Sequence, residues 1–483
     1  MPSSAPPLST MDDVKVYPDK SVEPQISKLS LCDVYAPKIW VTQCHFWPCE
    51  ERQPFERTYE ILKQGLARVL SEIPELAGRI TRGSDDPRDI YIEVNPNASI
   101  DFSHEDLSIV EDIPSYLALR SGGFPVQDIK LRILPDITLL PVTVGSPIFT
   151  AKLNKLKGGL CMTFGLNHLF ADMSSVSEVE RLWSLHTADV SSGRQSTYRP
   201  AINDVSFRER LSVAPPGAAP FNDPHWMVSP TQQSQLNLPA AADSISGQVD
   251  ATKWCMWRFS PENLTTLKKD ASSSDATKWI STIDALIGLL WSRISFVKQK
   301  SQEGFETSEM LFPINARKRL HPPLHSNFLG NVVDLISAEC PLADLEAGNA
   351  GLVAGAQCVR RAVTEWEQSK FEAWLGTAAS LPNDQAICPH PLMLLASQNM
   401  TFNDYSKSQS NSLDWGIELG YIESTRYTTP AASMAGCATT VVVYPKLRDG
   451  GLEVVMTCSD AAQQALLDDP VLQRYAQFRC CFG

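Results

Sequence analysis

The chain has 483 residues, and its 42 Lys and Arg against 55 Asp and Glu leave a formal net charge of −13. That acidity excludes sequence-independent nucleic-acid binding, which needs cations clustered against phosphate. It leaves room for a few local cations to hold one phosphorylated ligand. With 43% apolar and 20% charged residues the composition is globular, and the length allows about three domains or two large ones.

The opening Met1-Pro-Ser-Ser-Ala-Pro-Pro-Leu has no basic flank before an apolar core, so no secretory leader is expected. No apolar run approaches the roughly 20 residues of a bilayer span. A cytoplasmic protein without a membrane partner is therefore expected. Twelve cysteines are scattered with no C-x-x-C pair, which predicts reduced thiols rather than a zinc module or a disulfide framework. The sequons at Asn97, Asn263 and Asn399 carry no weight without a secretory route. The terminal Cys480-Cys481-Phe482-Gly483 imitates a prenylation box with a poor last residue, and a frayed tail is expected.

After a Pro- and Ser-rich start leading into an early strand, residues 55–73 repeat Leu62, Leu66, Val69 and Leu70 at helical spacing. Pro74-Glu75-Leu76-Ala77-Gly78-Arg79 ends that helix in a turn. Ile90, Ile92 and Val94 alternate with Tyr91 and Glu93 as a half-buried strand. Residues 148–153, a Lys157-Gly158-Gly159 turn and residues 160–166 predict a β-hairpin. A helix capped by Ser174 or Ser175 should follow, burying Val176, Val179 and Trp183.

From about 191 to 247 the chain is rich in Pro, Ser, Asn and Ala with little periodicity, a long crossover between two halves. The division is therefore 1–195, a linker at 196–250, and 251–483. The second half opens with a strand at 254–259. A helix follows from Ser281-Thr282-Ile283-Asp284, a capping box with Asp in place of Glu. A short strand at 310–314, an amphipathic helix at 358–375, a hairpin of 438–444 with 452–457, and a last helix at 460–475 complete the prediction.

Asn167-His168-Leu169-Phe170-Ala171-Asp172-Met173 directly follows the apolar hairpin strand and precedes a capped helix. A strand-to-helix turn holds a side chain rigidly at a sheet edge, as a catalytic base requires, and histidine titrates near neutrality. A buried histidine satisfied by backbone groups is the plainer alternative. A metal pair of His168 and Asp172 lacks further ligands. No G-x-S-x-G, G-x-G-x-x-G or P-loop pattern occurs. Asp414-Trp415-Gly416-Ile417-Glu418 reads as a glycine-dependent bend packed by its tryptophan. The cations of Asn315-Ala316-Arg317-Lys318-Arg319, followed by Asn327-Phe328-Leu329-Gly330-Asn331, form either a solvated face or a carboxylate or phosphate site.

Taken in order, these segments resemble the BAHD-type acyltransferases that use coenzyme A thioesters. The likeness runs from about Phe55 onward through the Pro74–Arg79 turn, His168 to Asp172 after a Gly-Gly hairpin, Ser281 to Trp291, the Arg-rich segment, the Asp414-Trp415-Gly416 box and Gly450 to Val455. Within the family the chain looks most like fungal trichothecene 3-O-acetyltransferase-like enzymes. It shares with them Met173 after the motif aspartate, the Ala276-Thr277-Lys278 run and the Tyr475-Ala476-Gln477 ending. Departures are Asn167 where most members have a first histidine, and a box that keeps only Asp414 and Gly416. A Ser-Trp pair that often precedes the box is not evident near Ala396-Ser397.

The resemblance implies two pseudo-symmetric α/β domains, each like a chloramphenicol acetyltransferase subunit with a mixed sheet, and an active-site channel between them. It implies a monomer that transfers an acyl group, acetyl foremost, from acyl-CoA to a hydroxyl of a fungal-type secondary metabolite. His168 would be the general base, and Asp172 would form a structural ion pair with Arg317. Asp414 and Gly416 would be structural near the motif. Acyl-CoA would be a cosubstrate, with no permanently bound cofactor and no metal. Two other readings are a condensation-type, amide-forming enzyme fed by a carrier-protein thioester, and a non-catalytic ligand-binding relative.

Overall fold

The computed structural model describes residues 14–49, 54–195, 205–213, 215–230, 252–273, 278–298, 304–390, 398–428 and 439–482. Outside the described residues lie the Pro- and Ser-rich start, much of the crossover, Ala276, Thr277, Ala396 and Ser397.

Two mixed sheets organise the chain. The first has the order Lys15–Val16, Ile100–Asp106, Phe149–Leu156, Gly159–Asn167, Trp40–Pro48, Ser424–Thr428. Its strand Gly159–Asn167 is buried along its whole length, because it lies inside the sheet with a strand on either side and both faces covered. The helices Phe55–Glu72 and Met173–Ser191 pack on this sheet through Leu62, Leu66, Val69, Val176, Val179 and Trp183. The second sheet runs Val333–Pro341, Thr307–Asn315, Met400–Asp404, Thr439–Val443, Leu452–Ser459, Thr252–Phe259, Gln477–Phe482. It is backed by Thr282–Lys298 and Asn349–Thr364 through Leu286, Leu289, Leu290, Leu352 and Val359. Each half is thus a mixed sheet under a pair of long helices. No helix among the described residues is long and apolar enough to cross a membrane.

Several expectations need correction. The helix after the motif is capped by Asp172, whose side chain accepts from the Ser175 amide, and not by either serine. The helix expected at 358–375 is two helices, Asn349–Thr364 and Gln368–Ser380. The last one likewise divides into Asp460–Leu467 and Pro470–Tyr475, because Pro470 cannot continue the first and Asp469 caps the second. The terminal residues do not fray: Gln477–Phe482 is an edge strand on Thr252–Phe259. In that ladder Cys255 faces Cys481, and the two form a disulfide, so the thiols are not all reduced. Scattered spacing hid the pair because 226 residues separate its members.

The sheets do not divide where the composition does. Ser424–Thr428, far into the second half, pairs antiparallel with Trp40–Pro48 and completes the first sheet. Its Arg426 reaches back to Glu453 of the second sheet at 2.8 Å, with both side chains buried. Within the crossover, Val205–Arg210 is helical and Trp226–Pro230 pairs with Gln385–Pro389. His225 fastens this segment: its Nδ1 lies 2.7 Å from Asp223 and its Nε2 3.3 Å from Glu309 of the second sheet.

The hydrogen bond to Asp223 raises the His225 pKa above the ordinary histidine value, against its partial burial. A raised folded pKa stabilises fully below the unfolded value, and that contribution fades as pH climbs through the folded one. His225→Gln is therefore expected to lower the urea midpoint at pH 5.5 and to leave it nearly unchanged at pH 9. Equal losses at both values would remove the charged clip.

Candidate active site

The site forms where the motif strand ends against the second half. Asn167 closes the strand, and its side-chain oxygen accepts from the Leu169 amide, which tightens the turn at the sheet edge. The His168 amide donates to the Ile39 carbonyl, fixing the backbone of the histidine. Its ring meets Asn331, 163 residues away in sequence: Nδ1 lies 3.2 Å from Asn331 Oδ1. The Asn331 amide nitrogen donates to the His168 carbonyl at 2.8 Å and to Asp33 at 3.0 Å. Both are obligate acceptors, so Oδ1 is the Asn331 atom that faces the ring. His168 Nδ1 must then carry the proton, which leaves the Nε2 lone pair free. Desolvation by burial lowers the His168 pKa despite the hydrogen bonds and the nearby Asp172 and Asp33. The ring is neutral at neutral pH.

Asp172 points away from that lone pair into the protein. Its carboxylate receives Arg317 Nη1 at 2.6 Å and Nη2 at 3.1 Å, a bidentate pair with both residues buried. The same carboxylate accepts from the amides of Ser175 and Val332. Burial alone would raise the Asp172 pKa, but the Arg317 charge and these donors outweigh it and hold the carboxyl below its ordinary range. Arg317 also donates to the carbonyls of Phe328 and Gly330, so the pair pins the segment that ends in Asn331. Gly330 sits at φ +150°, a backbone that side chains rarely adopt, with the Phe328 ring 3.1 Å from where a Cβ would be. The three neighbouring cations part company: Arg317 is buried, Lys318 is exposed, and Arg319 donates to the Val363 carbonyl over the Trp366 ring.

The structure does not bring Asp414 and Gly416 to this site. Trp415 is wholly buried between Trp47 and Trp183, whereas Asp414 is exposed and accepts from the Gly416 amide. Gly416 (φ +98°) lies over the far end of the motif helix, where a Cβ would stand 3.0 Å from the Ala188 Cα. A rise of 1.5 Å per residue puts that end about 25 Å from Asp172. The box therefore docks the second half onto the core of the first rather than serving the histidine.

A cleft of about 720 Å³ opens in the second half between the helices at 261 and 282 and the loops at 406 and 446. Lys268, Lys269, Lys407 and Lys446 line it with Thr282 and Ser406. The loop carrying Lys407 touches the motif helix through Ser408 and Ser177, 3.1 Å apart. Sequence reading missed these lysines because they come from three separate segments. Asn331 was visible only as the end of the Gly-Asn pair.

The family model described as "Transferase: Transferase family" matches residues 7–457. Acyltransferase clz6 of Cochliobolus lunatus is 38% identical, over 98% of this chain and 99% of its own length. Acyltransferase M4 of a Phoma species is 39% identical over the same shares. The chain belongs to the BAHD-type transferase family, and it is an acyltransferase. Its fold is similar to that of the trichothecene 3-O-acetyltransferase TRI101 of Fusarium sporotrichioides, solved with coenzyme A and T-2. That match has a TM-score of 0.72 at 19% identity, covering 94% of this chain and 99% of the other. The two-domain α/β architecture implied by the motif order is thus the one observed.

Proposed function

We propose that this acyltransferase moves an acetyl group from acetyl-CoA to a hydroxyl of a fungal-type secondary metabolite, with His168 as general base. The observation that carries the reading is the His168 ring itself, neutral, with Nδ1 engaged by Asn331 and Nε2 unencumbered. An alcohol attacks a thioester poorly because its proton must leave as the C–O bond forms. Nε2 accepts that proton, the tetrahedral intermediate collapses, and the proton returns to the departing CoA thiolate. Holding donor and acceptor together at the seam between the halves supplies the entropic part of the rate. The names of the fungal relatives support acyl transfer, and that of the trichothecene 3-O-acetyltransferase supports a hydroxyl of a fungal metabolite as acceptor.

The lysine cleft suits the donor. Four ammonium groups around one opening, in a chain of net charge −13, concentrate positive potential where the CoA phosphates would sit. Lys268→Ala with Lys446→Ala is expected to raise the KM for acetyl-CoA roughly tenfold with little change in kcat, and more at low salt than at high. A KM that neither mutation nor salt moves would take the donor phosphates elsewhere.

The whole reading is tested by incubating the chain with acetyl-CoA and panels of terpenoid, polyketide and alkaloid alcohols, read by mass spectrometry. Acetyl esters formed without any carrier protein are the expected result. Products that appear only with a carrier-bound thioester, or binding without turnover, would overturn it.

A further inference from the structure

Met173 is the first residue of the motif helix, directly after its cap Asp172, and the proton transfer at His168 makes no use of it. Its side chain is half-buried and packs on two cores at once. One is the core of the first half. The other is the cluster at the seam that holds Tyr427 and Tyr444, with Tyr405 against it. The Tyr405 and Tyr427 rings lie 4.9 Å apart. Methionine usually adapts to whatever packs on it, but here the side chain is held in place. Gln43, wholly buried on the strand Trp40–Pro48 and paired with Tyr427, turns its amide nitrogen to the Met173 sulfur at 3.6 Å.

This position lies on the route of the donor. Ser177, four residues further along the helix and on the same face, meets Ser408 at 3.1 Å. Ser408 belongs to the loop whose Ser406 and Lys407 line the lysine cleft, and Tyr405 directly precedes them. Four helical residues rise about 6 Å. Met173 therefore stands between the cleft loop at Ser177 and the turn that carries His168. A pantetheine arm that enters at the cleft and brings its thioester to His168 ends beside this side chain.

From this placement, and resting on acyl-CoA as donor and His168 as base, we infer that Met173 determines the length of the transferred acyl group. It fills the space that a longer chain needs beyond the thioester carbonyl. Acetyl ends short of the sulfur. A hexanoyl chain is four carbons longer and has to push Met173 away from Gln43 and the tyrosines, in a seam packed from both halves. Met173→Ala removes the outer part of the side chain and opens that space.

The test is isothermal titration of CoA, acetyl-CoA and hexanoyl-CoA into the full chain, with no acceptor present. The unaltered chain is expected to bind hexanoyl-CoA roughly tenfold more weakly than acetyl-CoA. Met173→Ala should bind hexanoyl-CoA roughly tenfold more tightly than the unaltered chain does, with CoA itself changed less than about twofold. Met173→Leu, which nearly conserves volume, should keep the preference for acetyl-CoA. In the transfer assay, the ratio of kcat/KM for hexanoyl-CoA to that for acetyl-CoA should rise in Met173→Ala by a similar factor.

Equal binding of acetyl-CoA and hexanoyl-CoA by the unaltered chain would overturn the inference even if the variants fail to fold. So would a Met173→Ala chain that gains nothing for hexanoyl-CoA, or one that weakens all three ligands alike, which would put Met173 beside the pantetheine arm instead. These outcomes leave His168 as base untouched, since the titrations involve no transfer. Failure of all three ligands to bind would remove coenzyme A as the donor, and the inference with it.

Discussion

Replacing His168 with alanine is expected to lower kcat for acetyl transfer by about 10²–10⁴-fold, the usual worth of a general base, in an assay of CoA release with an alcohol acceptor. The KM for acetyl-CoA should change little, because His168 does not line the lysine cleft proposed for the donor. The unaltered enzyme should also show an acid limb. Burial disfavours the imidazolium, so the rate should rise with pH through a value below that of an ordinary histidine and level off before neutrality. The same shift has a stability consequence of definite sign. The folded chain binds this proton less readily than the unfolded one, so acid below the unfolded histidine pKa weakens the fold. Near-wild-type transfer by His168→Ala would remove the mechanism.

The second large effect belongs to Asp172. Asp172→Ala leaves the buried Arg317 guanidinium without its counter-charge, removes the cap of the motif helix and strips the Val332 amide of its acceptor. Breaking a buried pair from one side costs about 3–5 kcal/mol, to be measured by urea unfolding. The carboxyl pKa is lowered in the fold, so the contribution is present above the ordinary carboxylate value and drains away as pH falls through the folded one. Activity should fall as well, since the pair holds the loop that delivers Asn331. Arg317→Lys should not rescue, because one ammonium cannot span Asp172 and the carbonyls of Phe328 and Gly330. An unchanged midpoint in Asp172→Ala would show the pair to be idle.

What the residues reveal unaided follows local rules. The hairpin before His168, the helix beginning at Phe55 and the Ser281–Asp284 capping box are set by periodicity and turn chemistry within a few residues, and each appears as expected. Arg317 lies on Asp172, as the resemblance to the family, and not any local rule, implied. Long-range pairing is silent in such a reading. Nothing local marks Asn331 as the partner of His168, Cys255 as the partner of Cys481, or Ser424–Thr428 as a strand of the other half's sheet. The helix cap misled for a related reason: Ser174 and Ser175 are good caps by type, but Asp172 already faces the free amide and has the buried arginine to hold it there.

The strand at Ser424–Thr428 and the buried Trp415 also decide how this enzyme can be recombined. Residues up to 250 lack the sixth strand of their own sheet and the indole that fills its helix layer. Chimeras joined to a relative at the crossover would thus graft one parent's strand and tryptophan onto the other parent's core. The first half is better exchanged in blocks that carry 413–428 along with it and leave Met400–Asp404 in the second sheet. The two sheets form separate layers in space, but as units of inheritance they are interleaved.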